Sequence, residues 1–314
     1  MTRKRLLGKR FRAERARRRT MSADAVECVL KADAIVGESP VWCARERALY
    51  WVDITGQKIH CFHPDTGAND TFHLPRPVTG VVLRQRGGLL ATLCKDFAFF
   101  DPATEDLRSL DRVEEDKPDN RFNGGMCDRQ GRFWAGTMNG SHWDAPSGSL
   151  YRLDTDLRVT RQITGCVCAN GLDWSPDGRV LYFTESFAYG IFAYDFDSTA
   201  GQTANRRLFA SVDKDSGAFP DGLTVDAEGG VWSVHNAVGR VVRYTPAGKI
   251  DRSVQFPVPR PCGCAFGGEK LDVLYVTTAR ETMTTEQIAK APLSGSLFAV
   301  IPGVRGLQPS CFAG

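Results

Sequence analysis

The sequence predicts an all-β chain folded as a six-bladed β-propeller. Three observations carry that prediction. One unit recurs six times, with starts 41 to 51 residues apart. A period of about 40–50 residues with some four strands per repeat is the signature of a propeller blade. Within each copy, short runs of alternating apolar, β-branched and aromatic residues are separated by Gly, Asp and Pro turns, as strands require. No stretch between residues 30 and 300 sustains a 3.6-residue amphipathic period over three turns, so helices are not expected to build the core.

The elements follow in order along the chain. AVECVLKA (25–32) reads as an isolated strand, expected to complete the last blade beside SLFAVIP (296–302) and so close the ring. The first copy starts at Glu38 (ESPVWCARERALYWVDITGQKIHCF) and is degenerate. The second starts at Thr79, with Gly87 eight residues on and Leu90 eleven on. The third starts at Asn123 and has Asp128 at +5, Gly131 at +8 and Trp134 at +11, then SLYRL. The fourth starts at Asn170, with Gly178, Leu181 and then GIFAY. The fifth starts at Asp221 and repeats the third closely, with Asp226, Gly229 and Trp232 at the same offsets, then RVVRY. The sixth starts at Cys262 (CGCAFGGEKLDVLYVTTA). Trp42, Trp134, Trp174 and Trp232 recur at blade positions and read as core.

Composition agrees. Gly and Pro make up 47 of 314 residues, about 15% against an average of about 12%, which implies many turns. No apolar run approaches the 18 residues of a membrane-spanning helix. The formal charge of +3 is misleading, because residues 1–20 carry ten Lys/Arg and one Glu. The remainder is net −6, which gives no reason to expect nucleic-acid binding. The basic stretch reads as an N-terminal extension, disordered or a mis-assigned start ahead of Met21, with residues 21–314 as one propeller domain. A transit peptide or a nucleic-acid arm are the other readings. The ten cysteines include Cys166/Cys168 and Cys262/Cys264 at i, i+2, a spacing that matches neither redox nor zinc-finger pairs. They read as small, reduced, buried hydrophobes of a cytoplasmic protein.

In a propeller the innermost strands surround a channel, so equivalent repeat positions lie on one ring. The repeat's first residue is Glu38, Thr79, Asn123, Asn170, Asp221 and Cys262. Four of these offer carboxylate or amide oxygens, the ligand set of a hard or borderline divalent cation. Asn-Gly and Asp-Gly are also common hairpin dipeptides, so each one alone is weak evidence. Their recurrence at one repeat position points to a metal or polar-ligand site at the channel mouth. Arg121, two residues before Asn123, alternates onto the same strand face. The five histidines form no paired-ligand spacing, and the sequence holds no GxSxG elbow, P-loop or GxGxxG.

The segments GESPVW (37–42), RFNGGMCDRQGRFWAGTM (121–138), ANGLDWSPDG (169–178) and FPDGLTVDAEGGVW (219–232) resemble the senescence-marker-protein/gluconolactonase/regucalcin-like family. LYVTTAR (274–280) and the terminal VRGLQPSCFAG (304–314) resemble its bacterial sugar-lactonase members. The resemblance spans about residues 26–314 and implies a six-bladed propeller with one divalent metal in the central channel. Matched motif by motif, it implies Glu38, Asn170 and Asp221 as metal ligands and Asp221 also as general base. Arg121 and Asn123 would bind the substrate's oxygens. The cation would be Ca²⁺, Zn²⁺, Mn²⁺, Mg²⁺ or Fe²⁺.

The implied reaction is hydrolysis of an aldono-1,4- or 1,5-lactone to the aldonic acid, with the metal polarising the carbonyl and activating water. The expected partner is a small-molecule sugar lactone, with no nucleic acid, membrane or protein partner. A phosphotriesterase-like hydrolase and a non-catalytic calcium-binding propeller are the alternatives. Three positions depart from the family. Gly124 replaces the Asp of RxNDG, Asn139–Asp144 lack the Glu that animal members carry after GTM, and Glu185 replaces an Asp. The first two bear on sugar specificity, and none removes an implied metal ligand.

Overall fold

The computed structural model describes residues 25–314 and is almost wholly β. The basic extension read at residues 1–20 lies outside the described residues. Strand β1 (Glu27–Leu30) precedes five consecutive four-stranded meanders. These are β2–β5 (Gly37–Cys43, Ala48–Asp53, Lys58–His63, Ala68–His73) and β6–β9 (Val78–Leu83, Leu89–Leu93, Asp96–Asp101, Asp106–Arg112). Next come β10–β13 (Asn120–Cys127, Phe133–Asn139, Gly148–Leu153, Val159–Cys166) and β14–β17 (Ala169–Trp174, Val180–Glu185, Gly190–Asp197, Gln202–Ser211). The fifth is β18–β21 (Phe219–Val225, Val231–Asn236, Arg240–Tyr244, Ile250–Gln255). The sixth sheet joins β22 (Pro261–Gly267), β23 (Val273–Thr278) and β24 (Leu297–Val300) to β1. Cys28 pairs with Phe298 and Glu27 with Ala299, so the N-terminal strand closes the ring as the sequence predicts.

The core is divided among the blade–blade interfaces. Alternate residues of one strand face opposite sides of a sheet. Phe133 and Ala135 therefore pack toward the second blade, while Trp134 between them packs toward the fourth. Six apolar clusters result, one at each interface, including the junction of the sixth blade with the first around Trp42, Trp51 and Tyr275. Trp42, Trp134, Trp174 and Trp232 are all buried.

The Asp and Trp of the repeat prove to be one hydrogen-bonded unit. Asp226 Oδ2 accepts from Trp232 Nε1 at 2.8 Å, and Asp128 Oδ2 accepts from Trp134 Nε1 at 3.0 Å. The carboxylate's other oxygen closes the turn by accepting backbone N–H groups, from Glu228 and Gly230 in one copy and Gln130 and Arg132 in the other. Among the described residues one short α-helix, α1 (Thr285–Lys290), lies between the strands and buries no residue. A capping box between Thr284 and Gln287, not an amphipathic face, supports it, so hydrophobic periodicity could not reveal it.

Candidate functional site

The innermost strands β2, β6, β10, β14, β18 and β22 ring the axis, and each departs from regular pairing near the residue the repeat singles out. Pairing slips by one residue between Glu38 and Val41, Val78 and Gly80, and Phe122 and Gly125. It does so again between Ala169 and Leu172, Pro220 and Leu223, and Pro261 and Cys264. Such bulges re-aim side chains out of the sheet's alternation. One consequence separates Cys262 from Cys264, which regular spacing places on one face. Cys264 joins the apolar cluster with Trp232 and Phe266, while Cys262 lies beside Asp221. Cys168 lies outside any strand, with φ of 54°, so it does not share a strand face with Cys166 either.

The glycines after these residues are not hairpin formers. A Cβ on Gly171 would lie 2.1 Å from Leu223 N, and one on Gly222 would lie 2.6 Å from Cys262 O. A side chain there would separate neighbouring inner strands. Gly124 differs, since its Cβ would meet only Ser39 Oγ, at 3.7 Å. Gly171→Ala is therefore expected to destabilise by about 1–3 kcal/mol through overpacking, and Gly124→Ala to leave the thermal midpoint unchanged. Thermal melts of the two variants side by side check this, and equal midpoints would refute the packing argument.

Glu38, Asp221 and Cys262 bring two carboxylate oxygens and a thiol sulfur within 4.8 Å of one another. Glu38 Oε2 accepts from the backbone N of Ser39 at 3.0 Å, made possible by the left-handed conformation of Ser39 (φ 48°). Asp221 Oδ2 accepts from Asn236 Nδ2 at 2.9 Å, while Asp221 Oδ1 and Asn236 Oδ1 are buried without a hydrogen-bond partner. Burial, and then the neighbouring Asp221 charge, push the Glu38 carboxyl well above its usual range. Burial likewise raises Asp221, to about 7, against the lowering effect of the Asn236 amide.

Arg121 Nη1 donates to Asn123 Oδ1 at 2.8 Å, and Asn123 Nδ2 donates to Ala169 O at 2.9 Å, tying the third blade to the fourth. Burial depresses the Arg121 guanidinium, opposed by Cys168, Glu281 and Glu38. Asn170 Nδ2 donates to Ser186 Oγ at 3.2 Å. Below the ring, Glu38, Asn170, Gly124, Gly171, Gly222 and Gly263 line an axial cavity of about 40 Å³. Aromatic rings flank the ring residues: Phe187, next to Ser186, stacks on Phe219 at 5.4 Å and meets Trp143 at 5.9 Å.

Sequence reasoning missed Asn236, Ser186 and the aromatic group. Asn236 and Ser186 sit at or just past the ends of second strands, where the repeat has no common residue. His235, by contrast, is buried within β19 against Tyr244 Oη, away from any ligand role.

Two adjacent buried carboxylates, one with an unpartnered oxygen, suit a divalent cation. Without one, their mutual repulsion and desolvation are uncompensated. Two carboxylate oxygens are donors for a hard ion, and the Cys262 sulfur beside them extends the set to a borderline one.

The sequence profile of the SMP-30/Gluconolactonase/LRE-like region matches residues 36–280. Regucalcin of Xenopus laevis is 37% identical over 300 residues, covering 94% of this chain and 100% of the relative. Regucalcin of Danio rerio is 39% identical over 297 residues, with the same shares covered. Among solved structures, a luciferin-regenerating enzyme superposes with a TM-score of 0.87 at 26% identity, covering 92% of this chain and 99% of that one. A Xanthomonas campestris gluconolactonase superposes with a TM-score of 0.72 at 22% identity, covering 87% and 88%, and attests the shared fold. With most of its length matched by the family profile and by relatives above one-third identity, the chain belongs to the SMP-30/gluconolactonase/LRE-like family.

Proposed function

We propose that the protein hydrolyses a sugar lactone to its aldonic acid at the Glu38–Asn170–Asp221 ring. The observation that carries this reading is the buried Asp221 carboxylate, oriented through Oδ2 by Asn236 and left with an unpartnered Oδ1. Family membership and the gluconolactonase neighbours support the substrate class. Glu38, Asn170 and Asp221 would hold one divalent cation, which when bound supplies Lewis-acid polarisation of the carbonyl and acidifies water. Arg121 and Asn123 bind substrate oxygens and set the lactone over the ring. As water attacks the carbonyl carbon, Asp221 Oδ1, the oxygen that Asn236 leaves free, takes its proton. The ring C–O bond breaks as Asp221 returns that proton to the ring oxygen, which leaves as a hydroxyl, and the carboxylic acid formed gives its proton to solvent and departs as the aldonate. A cytoplasmic location belongs to the same reading, supported by ten unpaired cysteines. No described helix is long and apolar enough to cross a membrane.

The test is a pH-indicator assay of metal-stripped protein on a panel of aldonolactones, with each divalent cation restored in turn. Turnover above the spontaneous background is expected with at least one cation. No excess rate on any lactone while a cation still binds would favour the calcium-binding reading suggested by the regucalcin relatives, and phosphotriesters would be tried next.

The raised carboxyls also set a pH dependence. Their folded values exceed the unfolded ones, so the stability they contribute to the metal-free protein is fully present below the ordinary carboxylate range and falls as pH rises above it, the Asp221 share being lost through about 7. Melts of chelator-treated protein from pH 4.5 to 7.5 should therefore show this contribution falling, most clearly as a flattened profile in Asp221→Asn. A profile identical in the variant would contradict the assignment.

A further inference from the structure

We propose that Cys61, His63 and Asp70 form a second metal site, on the outer flank of the first blade, that takes a borderline divalent cation of the zinc type. The strands themselves build it. Cys61 and His63 are two residues apart on β4, so they project from one face, and Asp70 on β5 is the cross-strand partner of Cys61. Cys61 Sγ lies 3.6 Å from His63 Nε2, and Asp70 Oδ2 lies 3.2 Å from the same nitrogen. All three candidate ligand atoms fall within 4.8 Å of one another. A tetrahedral ion with ordinary Zn–S, Zn–N and Zn–O bonds separates sulfur from nitrogen by ~3.6 Å and nitrogen from oxygen by ~3.4 Å. The two spacings about His63 Nε2 are thus already close to those of the bound state.

The shared nitrogen decides between two uses of a Cys–His–Asp group. In a nucleophile triad the acid sits on the imidazole nitrogen opposite the one facing the nucleophile. Here thiol and carboxylate converge on Nε2, which has a single in-plane bonding direction, as they would around a common ion. The position is reachable. His63 and Asp70 are 32% and 65% exposed, and the group opens into a groove of about 430 Å³ between the first two blades. Tyr50 and Glu46 line the same groove, with Tyr50 Oη donating to Glu46 Oε2 at 2.5 Å. Water from the groove fills the fourth position. On binding, the Cys61 thiol gives its proton to solvent and its sulfur bonds the ion, while His63 binds as the neutral ring. With an imidazole where the channel group has a second carboxylate, this set favours a softer ion than Glu38, Asp221 and Cys262 offer.

Cobalt(II) is the probe. Chelator-treated protein titrated with cobalt(II) should develop a thiolate-to-metal charge-transfer absorption. That absorption should be absent from Cys61→Ser and need at least about tenfold more cobalt(II) in His63→Ala, in line with the loss of one good ligand. It should persist in Cys262→Ser, which separates this site from the channel cysteine. Calcium(II) in excess should not displace it, whereas zinc(II) should. His63 and Asp70 are exposed enough that His63→Ala and Asp70→Ala do not threaten the fold, and retained melting midpoints confirm that. Absence of the absorption in the parent protein overturns the proposal. So does its survival in Cys61→Ser, or its loss only in Cys262→Ser.

Discussion

Asp221→Asn is expected to lower lactone turnover by at least about 10³-fold, within the range for removing a general base, while raising the thermal midpoint of the metal-free protein at neutral pH. The two effects have one origin. Asp221 is 5% exposed and stands beside Glu38 at 9%, so in the absence of a cation burial and the neighbouring carboxyl both oppose ionisation of the pair at neutral pH. The amide is nearly isosteric and still offers Asn236 a carbonyl oxygen, but it removes one charge and with it the cost of holding the pair. Activity and stability should therefore move in opposite directions, as expected where a functional site is a strained part of the structure.

The same variant separates two roles. If Asp221 serves only as a ligand, raising the cation concentration restores turnover as the weakened site fills. If it also takes the proton from water, turnover stays absent at saturating cation. The measurement is initial rate against cation concentration for both proteins, with melting midpoints taken at each point. Full recovery at high cation would remove the general-base role and leave the ligand role standing.

How much of this was legible in the sequence depends on whether a feature repeats. The blades were readable because Asp226 with Trp232, and Asp128 with Trp134, are hydrogen-bonded units that fix the spacing of the repeat. The ring position was readable for the same reason, as one residue per blade. Asn236 and Ser186 were not, because each supports one ring residue in one blade and leaves no period. Nor did the i, i+2 spacing of Cys262 and Cys264 reveal their separation, since the bulge that parts them is a property of strand pairing. Cys61, His63 and Asp70 become neighbours only through the register of β4 with β5.

Asp128→Ala is expected to cost about 4–5 kcal/mol and Asp226→Ala less, about 3 kcal/mol, although the two carboxylates occupy equivalent repeat positions and are both fully buried. Each accepts from an indole, an arginine and two backbone N–H groups, so truncation leaves three buried donors and one part-buried backbone N–H unpaired in both. The difference lies in what remains around the arginine. Arg243, from β20, keeps Asp251 Oδ2 at 2.8 Å and Glu228 Oε2 at 2.9 Å, so its charge stays balanced. Among the described residues Arg132, which donates to Asp128 at 2.6 Å, has only the carbonyls of Ser198 and Thr199 besides, and is 8% exposed. Its guanidinium would be left buried with no carboxylate in contact. Both aspartates follow the end of an inner strand, about 16 Å from the ring residues at about 3.3 Å per residue, so turnover per folded molecule should be unchanged in either variant. Urea unfolding of the two proteins and of Asp128→Ala/Arg132→Ala tests the ordering. Removing Arg132 as well should recover part of the loss, because the unpaired charge goes with it. If Asp226→Ala is the more damaging of the two, the charge left on the arginine is not what sets the cost.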